Sequence, residues 1–172
     1  ALAYSSSCTG TAAHLGGEYF ASLTGTRMLH VPYKGGGPSV AALVGGEVAV
    51  GFTTLPSVIA HIKSSRLRPV AMMTAQRSPS LPDLPTVQDA GIANYDVGSW
   101  YGLSAPAGTP REVIMRLHDA TVKLMVQPDT KERLANSGFE VITSTPEVYG
   151  EFVRTEVSRW AKVVQASGAK AD

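Results

Sequence analysis

Apolar positions follow two rhythms along this chain. Stretches alternating or running apolar over four to six residues are separated by stretches with apolar positions three and four apart, the signatures of strand and helix. "ALAY" predicts a short strand running into the polar loop "SSSCTGT". From Ala12 to Leu23, Leu15, Tyr19, Phe20 and Leu23 share one helical face, and Thr24-Gly25 ends it. "RMLHV" predicts a second strand. "SVAALV" predicts a short helix with Pro38 at its first position and Gly45-Gly46 closing it. "EVAVGF", "LPSVIAHIKSS" and "LRPVAMMT" continue as strand, helix, strand. Strands alternating with helices at this spacing predict a parallel sheet with helices on its faces.

The rhythm then changes. "AQRSPSLPDLPT" holds three prolines within seven residues and predicts an extended surface segment. "TVQDAG" predicts one or two helical turns ending at Gly91, and "YDVGSWYGLSAP" a strand-like crossing. Beyond it the pattern is largely helical. "TPRE" predicts a capping box, with Thr109 as N-cap, Pro110 at the first position and Glu112 reaching back. Val113, Ile114, Leu117, Thr121, Leu124 and Met125 mark one face of that helix. A short helix over about 129–137, a last strand "FEVIT", and a long helix opening at Thr145-Pro146 follow. The chain thus divides near Ala93 to Ser99 into an α/β unit, residues 1–98, and a crossing with helices, residues 99–172. The second part has too little sheet of its own and predicts a partner sheet to cover.

Composition narrows the function. Of 172 residues 44% are apolar and 17% charged, which supports a packed core. The net charge of +1 supplies no field for nucleic acid or an anionic membrane surface, so anion recognition must be local. No apolar run approaches the roughly 20 residues of a membrane span. Cys8 is the one cysteine, which excludes a disulfide framework and paired-cysteine zinc. The start "ALAYSSSCTG" has no initiator Met and no signal-peptide pattern, and reads as a mature protein or a piece of a longer one.

Two loops carry the candidate chemistry: "SSSCTGT" before the Ala12 helix and "YKGGG" before the Pro38 helix. In open parallel sheets, ligands sit at strand C-termini beside helix starts. Helix starts offer unpaired N–H groups and a partial positive charge. Small residues let an oxyanion approach, and Ser6, Ser7, Thr9 and Thr11 add hydroxyls. Plain glycine turns explain the same pattern, and on the residues alone both readings stand. Lys34 precedes all three glycines, unlike the phosphate-loop pattern, and G-x-G-x-x-G is absent, so phosphate cofactors fit less well than a small carboxylate and no cofactor is expected. A Ser or Cys nucleophile with His14, His30 or His61 lacks the G-x-S-x-G elbow. These histidines are too scattered for a metal motif. Trp100-Tyr101 suits core or hinge packing better than ligand stacking.

The motifs together resemble the periplasmic substrate-binding receptors of tripartite tricarboxylate transporters, the Bug-type receptors. In order they are "YSSSCTGTAAHLGGEYF", "HVPYKGGGPSVAALVGGEV", "RSPSLPDLPTVQDAG", "WYGLSAPAGTPREVIMRL" and "TPEVYGEF…EVSRWAKVV". The resemblance implies a periplasmic-binding-protein-like, type II Venus-flytrap lobe with a parallel-rich sheet. Residues 99–172 would complete the other lobe, whose N-terminal part is expected to be absent here. It implies a receptor and not an enzyme, a periplasmic location, and delivery of a small carboxylate to the membrane components of a transporter. The implied ligand-binding residues are Ser6, Thr9, Gly10, Thr11, Tyr33, Gly35, Gly36 and Thr53. Two departures stand out. Cys8 replaces the family's usual Gly and narrows the first loop. Thr53 stands near where a common Asp would suit an amino group, which favours a plain carboxylate. The alternatives are an orphan lobe that dimerises as a sensor or interaction module, through pairing with a second copy, and a Ser/Cys hydrolase.

Overall fold

The computed structural model describes residues 2–167. Ala1, expected to open the first strand, and residues 168–172, expected in the C-terminal part, lie outside the described residues. The described residues form two compact units: 2–99 with 161–167, and Trp100–Trp160.

In the first unit β1 (Leu2–Ser6), β2 (Met28–Pro32) and β3 (Val50–Gly51) form a parallel sheet in the order β2-β1-β3. Helices α1 (Ala12–Thr24), α2 (Gly36–Gly45) and α3 (Leu55–Lys63) follow them in turn. Register pairs Tyr4 with His30 and Val50, and Ser5 with Val31 and Gly51. Successive side chains of a strand point to opposite faces. Tyr4 meets α1, where its hydroxyl donates to Glu18 Oε1 at 2.6 Å. Ser5 points the other way, toward the side where Leu43 of α2 packs against Gly51. Right-handed crossovers give the same arrangement, with α1 on one face and α2 and α3 on the other.

The core follows from this alternation. Tyr4, Ala13, Leu15, Val40, Ala42, Val48, Val58 and Ile59 are buried around the sheet. Tyr95 and Val97 are also buried, and the Tyr95 hydroxyl donates to the Gly16 carbonyl at 2.9 Å, fastening the crossing segment to α1. Gly17 leaves room for Tyr4: a Cβ there would stand 2.5 Å from the ring.

Several expected elements differ. Glu47–Phe52 shortens to the two-residue β3, the span that β1 pairs. "LRPVAMMT" is not a strand but holds one isolated bridge, Met72 to Thr86. Met72 N–H reaches the Pro85 carbonyl at 2.8 Å, and Pro85 has no N–H to carry a ladder further. "TVQDAG" is a turn, locked by Thr86 N–H to Asp89 Oδ2 and Asp89 N–H to Thr86 Oγ1, both at 3.0 Å. The crossing and "FEVIT" form no strand among the described residues. Ile142 in the latter is 83% exposed, with no neighbouring strand to satisfy its backbone.

The second unit carries α4 (Arg111–Met125), α5 (Pro128–Asn136) and α6 (Pro146–Ser167), the last extending into the first unit's range. The expected capping box at α4 does not form. Pro110 is the N-cap, and Thr109 Oγ1 donates back to the Pro106 carbonyl at 2.8 Å. The centre of this unit is Glu156, 7% exposed, whose Oε2 accepts from the indoles of Trp100 at 3.1 Å and Trp160 at 3.2 Å. Arg159 completes the cluster as its ion-pair partner at 2.8 Å.

Candidate functional site

Because β1, β2 and β3 are parallel, their exits and the starts of α1, α2 and α3 share one edge of the sheet. The exits are tied together. The Ser5 carbonyl accepts from Phe52 N–H at 3.0 Å, Ser6 from Tyr33 at 3.1 Å and Ser7 from Gly35 at 2.7 Å. The N-caps are Thr11, Gly35 and Thr54, and none of the three helices carries an acidic residue in its first turn. Each helix start contributes a partial positive charge of about half an elementary charge, here without a local carboxylate to offset it. A Cβ on Gly36 would lie 3.6 Å from Ser57 Oγ, so the starts of α2 and α3 adjoin. From Gly36 and Gly37 a groove of about 530 Å³ runs between these helices to His61 and Arg66.

The residues singled out from the sequence fall into two groups. Gly36 lies in the first turn of α2, as Ala12 and Ala13 do in α1, where no carbonyl stands one turn back to take the N–H. Thr9 and Thr53 are part-exposed on the loops. Tyr33 is part-exposed too, its hydroxyl 3.5 Å from Glu47 Oε2, which holds the phenol pKa up along with desolvation, the larger cause. Lys34 is exposed.

The second group is occupied within the chain. Ser6 is fully buried, and its hydroxyl donates to the Cys8 carbonyl at 3.1 Å. Gly10 N–H donates to His14 Nδ1 at 3.0 Å. Thr11 Oγ1 donates to the Cys8 carbonyl at 2.8 Å and accepts from His14 N–H at 3.3 Å. Gly35 N–H is spent on Ser7, and its φ of 111° is one that only glycine adopts freely. These four shape the loops. Their side chains and the two glycine amides are not free donors.

The same geometry bears on the nucleophile reading. Ser6 Oγ lies 2.7 Å from His30 Nε2. A base-activated nucleophile must reach its substrate, and Ser6 has no exposed surface. Cys8 is exposed, and among the described residues no three His, Cys, Asp or Glu side chains could hold a metal ion. No helix there is long and apolar enough to cross a membrane. Trp100 packs within the second unit, edge-on to Tyr149 and Phe152. One feature escapes sequence reasoning, the stacking of His14 on His30 at 4.0 Å between centroids. The register that places His30 beside Tyr4 was its only signal.

A parallel sheet whose edge gathers helix starts is the scaffold of α/β solute-binding proteins, and comparison with known proteins agrees. The profile described as "Tripartite tricarboxylate transporter family receptor" (TctC) matches residues 1–169. The chain belongs to this family, whose members are periplasmic solute-binding receptors and not enzymes. It is 34% identical to BugT of Bordetella pertussis, over 98% of this chain and 52% of that protein. A solved structure titled "R. palustris Rpa4515 with adipate" superposes with a TM-score of 0.89 at 32% identity, over 98% of this chain and 56% of that one. A second, "Structure of a periplasmic transporter", superposes at 0.92 with 37% identity, over 99% and 57%. The chain therefore spans about half the length of most relatives it matches. One from Pseudomonas knackmussii, 31% identical, is covered over 92% of its own length.

Proposed function

We propose that this chain supplies one ligand-holding lobe of an extracytoplasmic receptor that binds a small carboxylate and delivers it to the membrane components of a tripartite tricarboxylate transporter. The observation that carries the reading is the gathering of three acid-free helix starts at one sheet edge. A carboxylate there accepts N–H groups of Ala12, Ala13, Gly36 and Gly37. The hydroxyls of Thr9, Tyr33 and Thr53 line its approach. Ser6, Gly10, Thr11 and Gly35 act by fixing the loops around it. Charge-assisted bonds of this kind contribute about 1.5–3 kcal/mol each. The family supports the ligand class, since one related structure is named with adipate and another, MatC from Rhodopseudomonas palustris, with bound malate.

Residues 99–172 belong, in this reading, to a second lobe whose sheet they would cover. Leu103, Ile142, Val148 and Val157 are each more than half exposed, an apolar surface that calls for a partner. Pairing with a second copy would cover the same surface. Isothermal titration of the purified chain with adipate and malate tests the receptor reading. Saturable binding without turnover is expected, and neither heat of binding nor thermal stabilisation with any of a panel of small carboxylates would refute it.

A further inference from the structure

We propose that His14, whose Nδ1 accepts the Gly10 N–H, is the positioning residue of the first ligand loop, and that a proton on this nitrogen releases the loop and weakens carboxylate binding. The binding half of this inference rests on the receptor reading above. The loop half does not.

His14 sits one turn into α1 and is 5% exposed. Its Nδ1 takes the Gly10 N–H at 3.0 Å. A nitrogen that accepts cannot carry a proton, so the ring is the Nε2–H tautomer. Gly10 has φ +77°, in the left-handed region, which turns its amide back toward the helix. The His14 main chain holds the other side of the loop, through its N–H on Thr11 Oγ1. One residue thus fixes both ends of the segment that leads into the Ala12 and Ala13 amides.

The groups facing the His14 ring define what a proton would meet. From β2, His30 stacks on it at 4.0 Å with 16° between planes. From β1, Tyr4 stacks on His30 at 4.9 Å. The Tyr4 hydroxyl is engaged by Glu18 of α1, and burial, more than that carboxylate, raises its pKa. From the loop, the Cys8 carbonyl receives the Ser6 and Thr11 hydroxyls, while its thiol is exposed. From beyond β3, Phe52 packs edge-on to Tyr4. Two imidazoles face to face at this distance do not both take a proton readily, because like charges repel strongly at about 4 Å. A proton on His14 Nδ1 sets N–H against the Gly10 N–H. The loop must then turn away, and the carboxylate loses its fixed amides. This sign opposes simple charge attraction, by which acid would tighten an anion site.

Asn offers a test, because its Oδ1 takes the place of Nδ1 as an acceptor and does not titrate. In the ligand-free chain, the Gly10 amide resonance is followed by ¹⁵N NMR from about pH 8 to 5, the range in which imidazoles change charge. It should move with an imidazole titration in the wild type and stay still in His14→Asn. Malate affinity should fall by about tenfold more in the wild type than in His14→Asn over that range, the worth of one lost hydrogen bond. Running both proteins cancels the ligand's own protonation. His14→Leu should bind weakly throughout. An unmoved Gly10 amide in the wild type, a His14→Asn variant with the wild-type pH slope, or affinity that rises in acid overturns the proposal. If the wild type binds no carboxylate at all, the receptor reading fails, and the Gly10 titration still decides the role of His14 in the loop.

Discussion

Replacing Gly17 by Ala should destabilise the first unit, although helix propensity alone predicts the reverse. Ala is favoured over Gly by about 0.8–1 kcal/mol inside a helix. At position 17, however, the new Cβ would lie 2.5 Å from Tyr4 Cε2, 2.6 Å from Cζ and 3.0 Å from Oη. Carbon contacts relax at about 3.5–4.0 Å, so about 1 Å of movement is required. Tyr4 cannot supply it. The residue has no exposed surface, and its ring lies 4.9 Å from His30 and 5.1 Å from Phe52. The helix must move instead. That strains the hydrogen bond from Tyr4 to Glu18, and overpacking of this kind costs about 1–3 kcal/mol. After the propensity gain the net loss is up to about 2 kcal/mol. Urea unfolding followed by far-UV circular dichroism measures it. Gly45→Ala is the control: Gly45 also lies in a helix, but a Cβ there meets nothing within 4 Å, so it should stabilise or be neutral. A Gly17→Ala protein as stable as the wild type, or more so, would refute the claim that Tyr4 and α1 are in unyielding contact.

Other changes have equally definite signs. Thr11→Asp keeps an N-cap side chain but sets a negative charge beside the proposed carboxylate. At roughly 5 Å and an effective dielectric of about 20 that repulsion is about 3 kcal/mol, or over a hundredfold in affinity, read by calorimetry with an unchanged dichroism spectrum. Glu156→Ala leaves Arg159 and two indole N–H groups without their carboxylate. It should cost about 2–4 kcal/mol, seen as an earlier urea transition by tryptophan fluorescence. The Asp89 carboxyl is held below the usual range, first by Thr86 N–H and then by Arg77. Its stabilisation is therefore complete above the ordinary carboxylate range and lost as pH falls through the depressed value. Asp89→Asn should flatten the acid limb of a stability–pH curve, and an unchanged limb would show the pair to be idle.

What could be read from the sequence, and what could not, divides by the range of the interactions. The helix at Ala12–Thr24 ends at Gly25 as its pattern requires, because a left-handed C-cap and a 3.6-residue apolar period are local properties. The parallel order also follows locally, from strand–helix alternation. "LRPVAMMT" and "FEVIT" have strand composition, but a strand needs a neighbour, and the chain offers each too little. Thr109-x-x-Glu112 has the letters of a capping box, yet Pro106 sits close enough to claim the threonine hydroxyl first. Thr86-x-x-Asp89 forms the reciprocal pair that the former lacks. At the site, the position of the loops was legible and the use of their hydroxyls was not. Whether Ser6 and Thr11 point outward or into the chain is decided by His30, which only the fold brings near, and by the Cys8 carbonyl, whose direction the folded loop sets.

Strand register couples the core of the first unit to its loops. Tyr4 beside His30 puts an aromatic pair under α1, and Ser5 beside Gly51 leaves the other face to α2. A slip of one residue would exchange the faces, sending Tyr4 toward Leu43 and removing the ring on which Gly17 and His30 rest. It would also shift the bonds from Tyr33 and Gly35 to the Ser6 and Ser7 carbonyls at the exit of β1, which keep the two loops level. The same few contacts therefore select the register, seat α1 and align the helix starts. Stability and ligand affinity are thereby coupled at Tyr4. A substitution such as Gly17→Ala, at a residue that makes no proposed contact with the carboxylate, should weaken binding as well as folding, because α1 carries its N-terminal amides wherever the ring pushes it.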